Sequence, residues 1–479
     1  MNISKQHMYW FKSGVSAVLF SLLSLFGSAQ TTDSIKTLSP AQFIDWVREF
    51  HPVARQASIL VDQSRAELLS TRGMFDPLIY FNNDQKTFDG KTYFNYNHTQ
   101  LKIPTWFGIE VMAGLESNYG DLASPEMSLR NSSYAGLSIP LAKNLIIDRR
   151  RAALEQAQIF VELSKAEQQN YINDLLFEGL SLYWQWANDY QVYLILSDAV
   201  RNNEQRYKLI KITVEQGDRA GIDSTEALTQ LLNFKYLQNQ AFMFFQNSAF
   251  ELSNFLWSEG GQPMALDMRV IPSILPEQAN PYLQPMQPLE QFLQAATTTH
   301  PKLQMIGSKL EILEVERRLK FQSLLPTVNL KYNALNKGYE FWRGGNGAIF
   351  ENNYKFGAEI GIPLFLRQGR GDYRNAKLKI QSTQLEQDNT RQGIENKVKI
   401  YYNEWINLLE QIKINEQAVK AYQKVFDVEI QKFQLGESTL FLLNSREIKV
   451  IEARQKLAEL KAKFLKSGYG VSWAAGQLR

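Results

Sequence analysis

The side chains that most often carry chemistry are scarce in this chain. It has no cysteine and four histidines, His7, His51, His98 and His300, in 479 residues. That removes disulfides, thiolate metal sites, cysteine nucleophiles and any lipid anchor on an N-terminal cysteine. No paired His–Glu motif, Ser/His/Asp set or phosphate loop is visible. An enzyme is disfavoured, and no cofactor or metal is expected. Two of the histidines share a setting, His51-Pro52 and His300-Pro301. Proline suits the first helical turn, where its missing N–H has no partner to lose. The histidines therefore read as cap-region residues rather than ligands. Two glycines stand in polar, turn-like breaks, Gly217-Asp218-Arg219-Ala220-Gly221 and Leu435-Gly436-Glu437-Ser438. A sharp reversal there needs the positive φ that glycine adopts freely. Beyond the first, Asp223 and Glu226 have the spacing of a capping box.

The elements that position these residues follow from proline placement. Of 15 prolines, none falls from 141 to 262 or from 364 to 479, and six fall between 263 and 288. Interior proline breaks a helix, so the two proline-free runs invite long helices. Residues 151–213 and 372–434 are rich in Ala, Leu, Glu, Gln and Lys, all good helix formers. Apolar residues recur at helical spacing, as in Leu154, Ala157 and Val161, and in Leu176, Leu180, Tyr183 and Ala187. Each run reads as an antiparallel helical hairpin with a glycine tip. Ala152 lies 65 residues before Gly217, and Asp372 lies 64 before Gly436. At ~1.5 Å per residue each arm is about 95 Å long, a coiled-coil rod rather than a globular helix.

The two halves repeat one order of landmarks. Pro52 to Pro77 and Pro301 to Pro326 are both 25 residues. Ile139-Pro140-Leu141 and Ile362-Pro363-Leu364 follow, then the glycine tips, then Trp257 to Gly260 and Trp473 to Gly476. This internal duplication divides the chain into 30–260, a proline-rich segment 261–290, and 291–479. Between the paired prolines, 326–363 reads as a β-hairpin. Val328, Leu330 and Tyr332 alternate with polar residues, as do Phe356, Ala358 and Ile360. The matching region 77–140 is longer. It suggests four strands near 78–87, 92–103, 107–119 and 131–139; two strands with a long structured loop is the other reading. Pro104 to Gly108 looks like a turn. Strands of about ten residues have the length of tilted membrane strands. Two to six per chain cannot close a wide barrel, so the barrel must be shared between subunits.

Residues 1–14 carry Lys5 and Lys12 and no acid. An apolar stretch at 15–26 and Gly27-Ser28-Ala29 follow. That order is a secretory signal peptide over residues 1–29. The net charge of +3 gives no case for nucleic acid. The mean hydropathy of −0.31 argues against a bundle of membrane helices.

With these residues in view, the chain resembles the TolC-like outer membrane efflux proteins from about 40 to 476. The motifs are Leu325-Pro326-Thr327, Gly361-Ile362-Pro363-Leu364, Leu435-Gly436-Glu437 and Trp473-Ala474-Ala475-Gly476, in duplicated order. The resemblance implies an α+β, mainly α membrane protein. Three copies pool their strands into one outer-membrane barrel, set in lipid, and their helical hairpins into a periplasmic tunnel. The segment 263–288 would girdle the middle. Such proteins are passive ducts for drugs, dyes, detergents, metal ions or secreted proteins. An inner-membrane pump of RND or ABC type supplies energy, and a periplasmic adaptor meets the tips. The tips here are Gln216, Gly217 and Asp218, and Leu435, Gly436 and Glu437. For the gate, Asp223 matches the acid of the outer hairpin that helps lock the closed state. The inner hairpin departs from the pattern. Phe433 stands where a lock tyrosine is found and Ser438 where an arginine is found. Leu442 and Ser445 replace a ring of aspartates. Phenylalanine has no hydroxyl to donate and serine no charge to pair with Asp223. An apolar constriction near Leu442 would then hold the duct closed. A structural coiled-coil protein of the envelope, such as a tether or surface fibre, is the other class the rods would suit, but a tether needs no apolar-faced strands.

Overall fold

A computed structural model describes residues 36–120, 130–267, 269–340 and 352–478. The expected signal peptide, and most of the glycine-rich loop after residue 338, lie outside them. The chain opens with β1 (Lys36–Leu38), α1 (Pro40–Phe50) and α2 (Pro52–Arg72). Four strands follow: β2 (Leu78–Phe88), β3 (Lys91–Pro104), β4 (Glu110–Tyr119) and β5 (Arg130–Pro140). Then come α3 (Arg149–Glu215), α4 (Gly221–Ser253), β6 (Val270–Pro272) and α5 (Leu289–Thr298). The second half runs α6 (Pro301–Gln322), β7 (Thr327–Lys337), β8 (Tyr354–Gly361), α7 (Arg367–Gln434) and α8 (Leu440–Ala474). The described residues are mainly helical, with one six-stranded antiparallel sheet and a short parallel pair, β1 with β6.

The starts of α2 and α6 show why the His-Pro pairs recur. His51 Nδ1 accepts from Val53 N–H at 3.2 Å, and His300 Nδ1 accepts from Lys302 N–H at 3.1 Å. Each histidine is the N-cap and the proline is the first helical residue. Accepting at Nδ1 requires the neutral ring. Burial pushes the His300 pKa down to about 4, helped by nearby Lys302.

The long arms α3 and α7 have 67 and 68 residues, but their returns α4 and α8 have 33 and 35. Each hairpin is therefore double for only half its length. Along the other half, α2 and α6 pack against the arms and complete the second layer. The main core lies where the layers change over. Trp186, Tyr183, Phe43 and Phe464 are all essentially unexposed there.

Trp-x-x-Gly plays two different parts. Trp473 sits in the last turn of α8 and Gly476 (φ +72°) ends it, its N–H bonded to the Trp473 carbonyl. Trp257 lies beyond the end of α4, and there Gly261, not Gly260, takes positive φ. The first copy leads into the proline-rich segment through a wider turn closed by Ser258 and Gln262.

The sheet order is β2-β3-β4-β5-β7-β8. The region 77–140 holds four strands, and the turn occupies 105–109 rather than 104–108, so β4 begins at Glu110 instead of 107. Thr105 and Ile109 close this turn, and Gly108 adopts φ +83°. One registered row runs Ile79, Leu101, Ala113, Ala135, Ala334 and Tyr354 across all six strands. Its neighbours on that face include Phe81, Ile103, Val111, Leu137, Tyr332, Phe356 and Ile360. Ile79 is 76% and Ile360 71% exposed, so an apolar face is bare. The other face is polar. Tyr134 Oη takes contacts from His98 Nε2 at 2.9 Å and Gln100 Nε2 at 2.8 Å, while Glu116 accepts from Tyr96 and Ser132. Tyr134 lies across Gly114, where a Cβ would come within 2.4 Å of its ring. Trp106 and Phe107 are exposed at the β3–β4 turn, on the end nearest the helices.

Among the described residues, no helix is long and apolar enough to cross a membrane.

Candidate functional site

The far ends of the two hairpins are built alike. At the first, Gly217 has φ +84°; its N–H reaches the Val214 carbonyl at 3.1 Å, and Asp218 N–H reaches Thr213 at 2.9 Å. At the second, Gly436 has φ +78°; its N–H reaches Phe433 at 3.2 Å, and Glu437 N–H reaches Lys432 at 2.9 Å. Both are Schellman ends, which satisfy the last helical carbonyls with a left-handed glycine. Gln216, Gly217, Asp218, Leu435, Gly436 and Glu437 are all exposed, and Leu435 is 73% so.

The returns differ. Thr439 caps α8, its Oγ1 accepting from Leu442 N–H at 3.3 Å. The N-cap of α4 is Ala220, which has no side chain for the task. Asp223 is therefore not a cap and forms no capping box with Glu226. It lies in the first turn of α4, where its charge favours the helix N-terminus. Glu226 instead takes a long contact from Asn444 Nδ2, at 3.5 Å.

The partner of Asp223 comes from its own tip. Arg219 Nη1 lies 3.5 Å from Asp223 Oδ2. The same guanidinium sits 4.0 Å above the Phe433 ring centroid and donates to the Phe433 carbonyl at 3.3 Å. A ring without a hydroxyl can still hold a cation through its π face. The first and second tips are thus linked through Arg219, a residue the sequence did not single out. The available signal was a cation four residues before Asp223. Ser438 does not approach Asp223. Its hydroxyl donates to the Glu429 carboxylate within its own hairpin.

A second link lies deeper. Arg206 on α3 donates to both carboxylate oxygens of Glu447 on α8, at 2.7 and 3.0 Å. Asn203 Nδ2 adds a bond to Glu447 at 3.2 Å, and Arg206 also contacts Asn444 Oδ1 at 3.4 Å. Glu447 is 4% exposed, so this is a buried, bidentate ion pair. Between the two links, Ile210, Ala227, Leu440 and Leu443 form a small apolar cluster that includes Phe433 at its edge. The sequence hint was symmetry: Arg206 precedes Gly217 by 11 residues, and Glu447 follows Gly436 by 11.

Leu442 and Ser445 face away from all of this. Leu443, Asn444 and Glu447 occupy the buried side of α8, which leaves Leu442 and Ser445 on its open side. Among the described residues, no group of three or more acidic or histidine side chains is placed to hold a metal ion.

Residues 292–476 match the family model described as outer membrane efflux protein. The second half of the chain is similar to that family. Its members are transport channels of the outer membrane, not enzymes. No curated protein sequence matches the chain. Solved structures share the fold over almost its full length. The Campylobacter jejuni CmeC outer membrane channel covers 92% of this chain and 86% of its own, at 12% identity and a TM-score of 0.64. The Vibrio cholerae outer membrane protein VceC covers 91% and 96%, at 13% identity and 0.64. The open state of the Neisseria gonorrhoeae MtrE outer membrane channel covers 92% and 89%, at 14% identity and 0.65.

Proposed function

We propose that this chain is the exit duct of a tripartite efflux or type I secretion system in the outer membrane. It works as a homotrimer, passively, with a periplasmic adaptor and an inner-membrane pump of RND or ABC type. The observation that carries this reading is the sheet: one face bare and apolar, the other polar, and both outer strands, β2 and β8, free along one edge among the described residues. In lipid such an edge is untenable, because unpaired backbone groups find no water there. Barrel walls have this two-faced pattern, apolar toward lipid and polar toward a watery lumen. The rods carry unpartnered apolar stripes as well. Leu228, Leu232 and Tyr236 on α4 and Leu378 and Leu385 on α7 are exposed at helical spacing, as expected of helices that meet neighbouring copies.

On this reading 30–260 and 291–479 are two copies of one unit, and 261–290 braces the rods. That brace has contacts that suit it: Lys461 Nζ donates to the Glu277 carbonyl at 3.0 Å, and Tyr282 Oη lies 3.4 Å from Glu416. The exposed tips, Gln216 to Asp218 and Leu435 to Glu437, are the adaptor's docking points. The gate is held by Arg219, bound to Asp223 and Phe433, and by the buried Arg206–Glu447 pair. Ser438 only braces its own hairpin. Leu442 and Ser445, on the open side of α8, line the entrance, with Leu442 as its apolar constriction. A signal peptide over 1–29 delivers the chain, and the barrel holds it in the membrane.

Membrane fractionation with urea and carbonate extraction, followed by native mass measurement in detergent, tests the duct. A non-extractable trimer is expected. A stable monomer, or release by carbonate, would overturn it. For the gate, Leu442→Asp should raise single-channel conductance, and an unchanged conductance would remove Leu442 from that role.

A further inference from the structure

Among the described residues, the first repeat places two strands in the sheet that the second repeat lacks. The second goes from Pro326 straight into one hairpin, β7–β8, whereas the first inserts β2–β3 ahead of β4–β5. This additional hairpin is not a flap. β3 pairs with β4 without interruption from Asn95–Tyr119 to Pro104–Glu110. Glu110 at the base binds Lys102 at 2.8 Å and Arg150, near the start of α3, at 2.9 Å. Ile79 and Phe81 continue the apolar face of the sheet, so moving the hairpin into a watery lumen would expose both to water on each side.

We propose that β8 of one chain pairs antiparallel with β2 of the next, so that three chains close one barrel of 3 × 6 = 18 strands. The proposal rests on the trimeric duct and specifies its wall. Strand directions permit it. β2 runs away from the helices and β8 runs back toward them, so alternation is kept across the junction. The register follows from side-chain faces, because residues opposite one another must point the same way. The registered row that starts at Ile79, low on β2, ends at Tyr354, the far end of β8 from the helices. For three copies to stand level, the next β2 must meet Tyr354 well up its length, which is the stagger of strands tilted by about 35–45°. Placing Ile360 beside the next copy's Ile79 meets that demand. It sets Ala358 beside Phe81 on the apolar face, and Lys355 opposite Asp84 on the polar face. A shift of two residues one way would set Lys355 against Lys86 instead, so charge favours the first register. With strands ~4.8 Å apart at such a tilt, 18 strands span about 35 Å between backbones, wide enough to leave an aqueous channel. The tips, not the barrel, would then be the narrow point.

The absence of native cysteine makes the test clean. Phe81→Cys/Ala358→Cys, treated with a short bis-maleimide in membranes, should give covalent trimers on denaturing gels. Ala113→Cys/Ala358→Cys should not. If the second pair cross-links into trimers and the first does not, β8 meets β4, the wall has 12 strands, and the proposal falls while the trimeric duct stands. If native mass shows another stoichiometry, both fall. The register has its own test. Asp84→Lys should lower the temperature at which the trimer dissociates, and adding Lys355→Asp should restore it. No rescue by the charge swap, with trimers still cross-linked through positions 81 and 358, would overturn the register alone.

Discussion

The two tips are a controlled comparison within one chain. Both end a rod of nearly equal length, 67 and 68 residues, on a left-handed glycine with the same pair of carbonyl bonds. Yet the second tip has a threonine cap, a hydroxyl tied to Glu429 and a ring, while the first has an uncapped return and a guanidinium. The difference shows how a duplicated unit becomes a device. The shared parts make the reversal, and the unshared parts make the two hairpins hold each other. Arg219 is supplied by one copy, Phe433 by the other.

The comparison breaks most severely at the buried pair. Glu447→Ala leaves Arg206 without its carboxylate in a buried setting, a loss of about 3–5 kcal/mol where such pairs have been broken. Hydrogen exchange should show α8 and the tip half of α3 losing protection together, with the strands unaffected. Next comes His300. Its folded pKa lies below the ordinary value of 6.5, so the unfolded chain binds the extra proton between about pH 4 and 6.5, and stability falls as pH drops through that window. The lowering corresponds to about 2 kcal/mol lost between pH 7 and pH 5. His300→Asn, which keeps an N-cap without a titrating ring, should flatten that part of the melting-temperature profile relative to the native chain.

The smaller effects sharpen the comparison. Nothing lies within 4 Å of a Cβ at Gly217 or Gly436, so alanine at either strains the backbone alone. Each should cost about 1–2 kcal/mol, and the two values should agree. Unequal losses in denaturant melts would mean the tips are not equivalent. Arg219→Gln removes a cation–π contact of about 0.5–1 kcal/mol, and a double-mutant cycle with Phe433→Leu should return a coupling of that size. Last, Ala220→Thr gives the first return the cap that the second has. It should stabilise the start of α4 by about 0.5–1 kcal/mol, measured as slower exchange in its first turn.

Much of the fold was legible because its signals are local. Proline can stand only at helix starts and breaks, so Pro52, Pro77, Pro301 and Pro326 marked α2 and α6 before any contact was known. Alternation marked β7 and β8 closely, and four strands in the first half were the better of two readings. The candidate site was legible only in outline. The tip glycines were placed by backbone chemistry alone. The spacing of Asp223 to Glu226 fits a capping box, and by resemblance Asp223 also matches a gate acid. In the structure Asp223 faces Arg219 and Glu226 faces Asn444, 218 residues away.

By itself, then, the sequence determined where the chain must stop, turn and alternate, since those demands come from φ, a missing N–H or a period of two. Tertiary structure decided which distant residues meet: Arg219 with Phe433, Arg206 with Glu447, β5 with β7. Such pairs lie hundreds of residues apart and leave no local periodicity. They exist only because two rods of nearly equal length, folded back at glycine, bring equal distances from their tips to the same level.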